Sequence, residues 1–191
     1  GKPILEHQID SLRRHNLCDI PLSLCHKAEQ IIDFCERKWP GEIEFVVEPE
    51  PLGTGGAVKF ASRDLRDEFL VVNGDLLSDL DIAKFSNYGA NAMACSFIED
   101  AREFGLLGIE DGKIKRYLEK PKEKISGYIN GGFYLLKPEA ARAVPQRAFM
   151  LEKEVFPMLA ERGEMKAFIH NGKWIDVGTK DRWERANREW V

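Results

Sequence analysis

The run Phe69-Leu70-Val71-Val72-Asn73-Gly74-Asp75 constrains this chain more than any other stretch. Successive apolar, partly β-branched residues read as a strand buried on both faces, the kind found where helices cover a sheet from either side. The run stops at Asn-Gly, which is turn chemistry, and delivers Asp75 at that point. Open α/β sheets bind ligands in the crevice beyond the carboxyl ends of their strands. An Asp placed there can hold a divalent metal or face a phosphorylated ligand. The plain alternative is an Asp that opens a loop or caps a helix.

Helical and strand patterns alternate through the first half. Ile4, Leu5, Ile9 and Leu12 share one helical face, and residues 28–38 carry Ile31, Phe34 and Cys35 on another. Residues 19–24, 44–48, 69–73 and 92–98 read as strands, with helices over residues 55–62 and 82–88. This alternation predicts right-handed crossovers and a doubly wound, mostly parallel α/β sheet. The second half changes style. Asp111-Gly112 joins two strand-like runs as a hairpin. Residues 129–136 form a further strand interrupted by two glycines. Residues 151–161 and 180–190 read as helices. Asn171-Gly172, between residues 167–170 and 173–176, reads as a second hairpin. The expectation is one body with a small antiparallel flap over one end of the sheet.

A chain of 191 residues can bury a full core as one domain. Its net charge of −4, with scattered Lys and Arg, argues against a nucleic-acid partner. No apolar run reaches membrane-spanning length and no signal-type segment opens the chain. Cys18, Cys25, Cys35 and Cys95 show no zinc spacing, and they suit reduced interior thiols and a cytoplasmic setting. His7, His15, His26 and His170 fall outside every motif and read as structural or surface residues. Gly1-Lys2-Pro3 running straight into a helix reads as the interior of a longer protein.

Four constellations can carry chemistry. Glu48-Pro49-Glu50-Pro51-Leu52-Gly53-Thr54-Gly55-Gly56-Ala57 is a strand end and a glycine-rich turn into a helix, suited to backbone approach by a ligand, or simply a tight turn. It fits neither the dinucleotide fingerprint nor a Walker loop. Asn73-Gly74-Asp75 is the second. In Glu119-Lys120-Pro121 the lysine precedes a proline and so is expected in extended backbone, projecting toward an anion or simply into solvent. Trp174-Ile175-Asp176-Val177-Gly178-Thr179 supplies another strand-end Asp, which could equally begin a helix cap. Two carboxylates, a lysine and a glycine-rich loop together make a coherent phosphate-plus-magnesium site.

In this order the motifs resemble those of the sugar-phosphate nucleotidyltransferases, over essentially the whole chain. Glu-Pro-Leu-Gly-Thr-Gly-Gly-Ala, Val-Asn-Gly-Asp, Glu-Lys-Pro, Tyr-Ile-Asn-Gly-Gly-Phe-Tyr and Trp-Ile-Asp-Val-Gly-Thr each have counterparts there. The resemblance implies a Rossmann-like sheet of the nucleotide-diphospho-sugar transferase type. It implies that Asp75 and Asp176 hold a catalytic Mg²⁺, and that Lys120 grips the sugar phosphate. Glu48, Gly53, Thr54, Gly55 and Gly74 would line the nucleotide pocket, while Gly105, Glu119 and Asn130 would contact sugar hydroxyls.

The implied partners are a nucleoside triphosphate and a sugar 1-phosphate, with no nucleic acid or membrane; self-association into a homo-oligomer stays open. The glycine loop and Ile-Asn-Gly-Gly-Phe-Tyr look most like guanylyltransferases acting on manno-configured hexose or heptose 1-phosphates, with GTP as co-substrate. One departure stands out. The family's first strand, its Gly-x-Gly-Thr-Arg loop and a Pro-Lys pair lie upstream of the segment matching Gly1-Lys2-Pro3. Residues 1–191 are therefore expected to be a single nucleotidyltransferase domain lacking that strand and phosphate loop. About 20 to 30 further N-terminal residues, one βα unit, are expected in the natural protein. Without them little activity is expected, and a non-catalytic nucleotide-sugar-binding or regulatory module is the alternative.

Overall fold

The computed structural model describes residues 1–190. The chain order is α1 (Ile4–Arg14), β1 (Pro21–Leu24), α2 (Ala28–Lys38), β2 (Glu44–Val47), α3 (Gly53–Ala61), β3 (Phe69–Val72), β4 (Leu76–Ser78), α4 (Ile82–Ser86) and β5 (Ala92–Ile98). There follow β6 (Gly105–Glu110), β7 (Lys113–Glu119), β8 (Gly127–Leu136), α5 (Pro138–Arg142), a π-helical turn (Leu151–Val155), α6 (Phe156–Glu161), β9 (Lys166–His170), β10 (Trp174–Asp176) and α7 (Lys180–Glu189).

The main sheet has six strands in the order β3-β8-β5-β9-β7-β6. Strand β8 runs antiparallel to both β3 and β5, and β9 is parallel to β5. Strands β3, β5, β9 and β6 therefore share one direction, with β8 and β7 running against them, and the parallel neighbours in this sheet are β5 and β9. The β6–β7 hairpin turns at Asp111 and Gly112, which both have positive φ, the geometry of a tight primed turn. This flap is tied to the sheet at both ends, through Lys113 opposite Lys166 of β9 and Leu106 opposite Ile129 of β8. Parallel β1 and β2 form a separate two-stranded sheet, and antiparallel β4 and β10 form another.

Two expectations are corrected by these pairings. Residues 167–176 do not form a hairpin: β9 pairs with β5, β10 pairs with β4, and Asn171-Gly172 is the corner between sheets. The glycines of β8 do not break it; they make a bulge. Cα partners shift from Met93 opposite Tyr134 to Cys95 opposite Asn130, so extra residues of β8 are accommodated there. A side chain at Gly131 would run into the Ala94 carbonyl at 2.7 Å, and Gly132 has φ +77°.

The largest core cluster lies between the sheet and the α5–α6 region, built around Met93, Tyr134, Leu136, Phe156 and Met165, all essentially inaccessible. Ile9, Cys35, Trp39 and Ile43 seal α1 and α2 over the β1–β2 side. Cys35 and Cys95 are buried as expected, whereas Cys18 is exposed and Cys25 intermediate; all four are free thiols. Cys18 lies in the connection between α1 and β1, and connections of this kind run over the surface. No helix among the described residues is long and apolar enough to cross a membrane.

Candidate active site

The two strand-end aspartates meet through β4, a strand that the sequence pattern did not reveal. Asp75 ends the turn after β3, and the chain then re-enters extended backbone at Leu76-Leu77-Ser78. Leu76 pairs with Asp176 in the β4–β10 ladder, and the Val177 N–H donates to the Asp75 carbonyl at 2.8 Å. Leu77, Ile175 and Val177 bury one face of this small ladder and fix its register. The carboxylates consequently face the same space: Asp176 Oδ1 and Asp75 Oδ2 lie 3.5 and 3.6 Å from the point where a Gly178 side chain would begin. Loss of hydration raises the Asp75 pKa above its ordinary value, and the neighbouring Asp176 charge raises it further.

Arg182, on the first turn of α7, is the cation nearest to this pair. Its Nη1 donates to Asp176 Oδ1 at 2.5 Å, its Nη2 donates to Glu103, and its guanidinium stands 4.8 Å from the centre of the Phe104 ring. Phe104 in turn meets Trp174 edge-on at 5.5 Å, and the Trp174 indole N–H donates to the Gly131 carbonyl at 2.9 Å. Asp176, Arg182, Glu103, Phe104 and Trp174 line a cavity of about 720 Å³ over the carboxyl ends of β5 and β9. His170 lines it too, against the expectation of a residue unrelated to the motifs. Its Nε2 lies 3.2 Å from Asp79 Oδ1 and 3.1 Å from Ser78 Oγ.

Gly105, Glu119 and Asn130 are also brought together, around Tyr117. Gly105 pairs with Glu119 across the β6–β7 ladder. The Tyr117 hydroxyl donates to Glu119 Oε2 and accepts from Asn130 Nδ2, both at 3.2 Å. A side chain at Gly105 would strike that hydroxyl at 2.2 Å, so the glycine makes room for the network. Burial raises the Glu119 pKa, an effect that the Tyr117 hydrogen bond opposes. Lys120 departs from expectation: it has φ +49°, not extended backbone, and its N–H donates to the Phe104 carbonyl at 3.0 Å. That hydrogen bond holds it in a left-handed conformation that non-glycine residues adopt only when their surroundings require it.

The glycine-rich loop sits against the segment before the π turn. The N–H groups of Gly55 and Gly56 both donate to the Phe149 carbonyl, at 2.9 and 3.2 Å. A side chain at Gly55 would lie 2.2 Å from the Phe149 ring, and one at Gly53 would lie 2.6 Å from the Phe149 carbonyl. Packing alone thus requires these glycines. The Thr54 hydroxyl donates to Glu152 Oε2 at 2.6 Å and accepts from the Leu151 N–H at 3.0 Å. Glu48 closes the loop from the other side, accepting from the Leu52 N–H at 3.1 Å and from Ser23 Oγ at 3.2 Å. Gly74 differs from them, since nothing lies within 4 Å of the space a side chain would take.

The sequence reading missed Arg182, Tyr117 and Glu152. Glu152 joins the two halves of the site, bonding Thr54 while its charge raises the pKa values of both Asp75 and Glu119. Its only sequence signal was a carboxylate in a helical pattern, which usually marks a solvated face.

Two strand-end carboxylates thus meet in the crevice of an α/β sheet, the place where open sheets of this kind bind their ligands. The chain belongs to the nucleotidyl transferase family, whose model matches residues 1–190. It is 34% identical over 191 residues to a mannose-1-phosphate guanyltransferase of Yarrowia lipolytica, covering 93% of this chain and 53% of that protein. It is 32% identical to the mannose-1-phosphate guanylyltransferase catalytic subunit beta of Drosophila pseudoobscura pseudoobscura, covering 93% of this chain and 51% of that protein. The chain thus spans about half the length of the curated relatives it matches. Among solved structures it resembles HddC from Yersinia pseudotuberculosis complexed with GMP-PN, with TM-score 0.86 and 31% identity, covering 100% of this chain and 87% of that one. A putative glucose-1-phosphate thymidylyltransferase from Bacillus anthracis, 22% identical with TM-score 0.85, covers 97% of this chain and 81% of its own and shares the fold.

Proposed function

We propose that this chain carries nucleotide-binding and sugar-phosphate-binding residues of a guanylyltransferase, which joins a manno-configured hexose or heptose 1-phosphate to GTP. The names of the relatives from Yarrowia and Drosophila and the GMP-PN complex of HddC support the base and the sugar class. The observation that carries the reading is the convergence of Asp75 and Asp176 above Gly178. Two facing carboxylates whose mutual repulsion is offset by a single arginine suit a hard divalent cation with oxygen ligands. Asp75 and Asp176 would hold Mg²⁺, which supplies charge neutralisation at the reacting phosphates.

The reaction is an in-line displacement. An oxygen of the sugar phosphate bonds to the α-phosphorus of GTP while the bond from that phosphorus to the bridging oxygen breaks, releasing pyrophosphate. No protein nucleophile is required; alignment and charge placement carry the rate. Lys120, next to Glu119 at the end of β7, meets the sugar phosphate. Glu119 and Asn130, held by Tyr117, accept and donate hydrogen bonds to sugar hydroxyls. Four free thiols fit a reducing, cytoplasmic setting.

The test is pyrophosphate release from GTP with mannose 1-phosphate or a manno-heptose 1-phosphate, measured on the natural full-length protein. Asp75→Asn and Asp176→Asn should each lower turnover by about 100-fold or more, on the scale of lost transition-state charge stabilisation, with unchanged circular dichroism. Rates within a few-fold of the parent would reject the assignment.

A further inference from the structure

Arg182 is bound on two sides by opposing demands. It is a half-buried residue on the first turn of α7, and its guanidinium bridges Asp176, a proposed metal ligand, and Glu103, an exposed carboxylate in the loop after β5. The guanidinium also lies over the Phe104 ring, 4.8 Å from its centre, a cation–π contact. The other two arginines of the same cavity are each engaged elsewhere: Arg102 with Asp100, and Arg185 with Glu189. Only Arg182 touches the carboxylate pair.

We infer that Arg182 is a positioning residue that sets the divalent-cation affinity of the Asp75–Asp176 pair, competing for Asp176 Oδ1 while Glu103 draws it away. This inference rests on the magnesium reading above. Asp176 Oδ1 already accepts from Arg182 Nη1 and, at 3.2 Å, from the Gly178 N–H. A divalent cation that uses this oxygen must displace the guanidinium, whose second hydrogen bond to Glu103 and cation–π contact with Phe104 leave it a place to go. Arg182 thereby keeps two adjacent carboxylates from repelling one another, yet yields one of them to a stronger cation. A mere structural strut would predict the opposite of competition, since loosening the strut would disorder Asp176 and weaken metal binding.

The experiment titrates the natural full-length protein with Mn²⁺ alone and counts free Mn²⁺ by electron paramagnetic resonance. Arg182→Gln should tighten Mn²⁺ binding by about tenfold, the size of one released charge-assisted hydrogen bond. Arg185→Gln removes the same charge one turn along the helix without touching Asp176 and should change affinity less than about twofold, as for a screened surface charge. Glu103→Gln, which leaves Arg182 to Asp176 alone, should weaken binding. Equal tightening by Arg182→Gln and Arg185→Gln would reduce the effect to net charge and overturn the inference. So would unchanged or weaker binding in Arg182→Gln when Asp176→Asn abolishes binding, a result that leaves the metal reading standing. Mn²⁺ binding that survives both Asp75→Asn and Asp176→Asn would overturn the metal reading and the inference together.

Discussion

Gly55 lies within α3, and replacing a helical glycine by alanine ordinarily stabilises a protein by about 1 kcal/mol. Here the sign should reverse. An alanine methyl at residue 55 would sit 2.2 and 2.3 Å from two ring carbons of Phe149, a buried side chain. Neither partner can step aside cheaply, because the Phe149 carbonyl also accepts the N–H groups of Gly55 and Gly56. Overpacking in a close-packed interior costs about 1–3 kcal/mol, and two contacts this short belong at the upper end. Subtracting the helix gain leaves a net loss of about 2 kcal/mol, or a fall in Tm of about 4–8 °C for a chain of this size. Urea unfolding followed by circular dichroism reads the loss directly. In a Phe149→Leu background the methyl has room, and Gly55→Ala should become neutral or stabilising, a coupling of about 2–3 kcal/mol. A Gly55→Ala variant as stable as the parent, or a cycle without coupling, would refute the packing account of this glycine.

Arg142 Nη2 donates to the carbonyls of Ser62, Arg63 and Leu65 at 3.1, 3.0 and 2.7 Å, gathering the carboxyl end of α3. Arg142→Ala should lower stability by about 1.5–3 kcal/mol, the range for hydrogen bonds to a charged group, in the same urea assay. Because the native Glu119 pKa is raised, the unfolded chain holds its proton less tightly, so ionised Glu119 subtracts stability above that native value. Glu119→Gln should accordingly be the more stable form at pH 7. Its advantage should shrink as pH falls through the native value toward the ordinary 4.5, as melts across pH would record. Toward an aromatic disulfide reagent, exposed Cys18 should react first. Cys95, whose thiol is pushed up to about 12 by burial, should react only on unfolding.

What could be read in advance was whatever local pattern controls. Strand β5 was legible to the residue, because a run of buried apolar residues between turn signals has few other uses, and the Asp111-Gly112 hairpin followed from its turn chemistry alone. Strand β4 was not legible: three residues gain strand geometry only from a partner some 100 positions away. The same non-local pairing made Asn171-Gly172 a corner, although locally it is indistinguishable from a hairpin turn. Lys120 shows the limit of a steric rule, for the preference of a residue before proline yields to the carbonyl of Phe104. In the site, the two aspartates could be named, but their company could not. Arg182 and Glu152 sit on helical surfaces, where charged residues are ordinary, and only folding aims them at the crevice.

The side-chain amide of Gln8, on α1, donates to the carbonyls of Asn73 and Leu76 at 2.8 and 2.9 Å. One nitrogen near the start of the chain thus brackets the turn from which Asp75 projects. The turn that presents this carboxylate is therefore braced from α1, and a substitution at Gln8 would loosen how Asp75 is held.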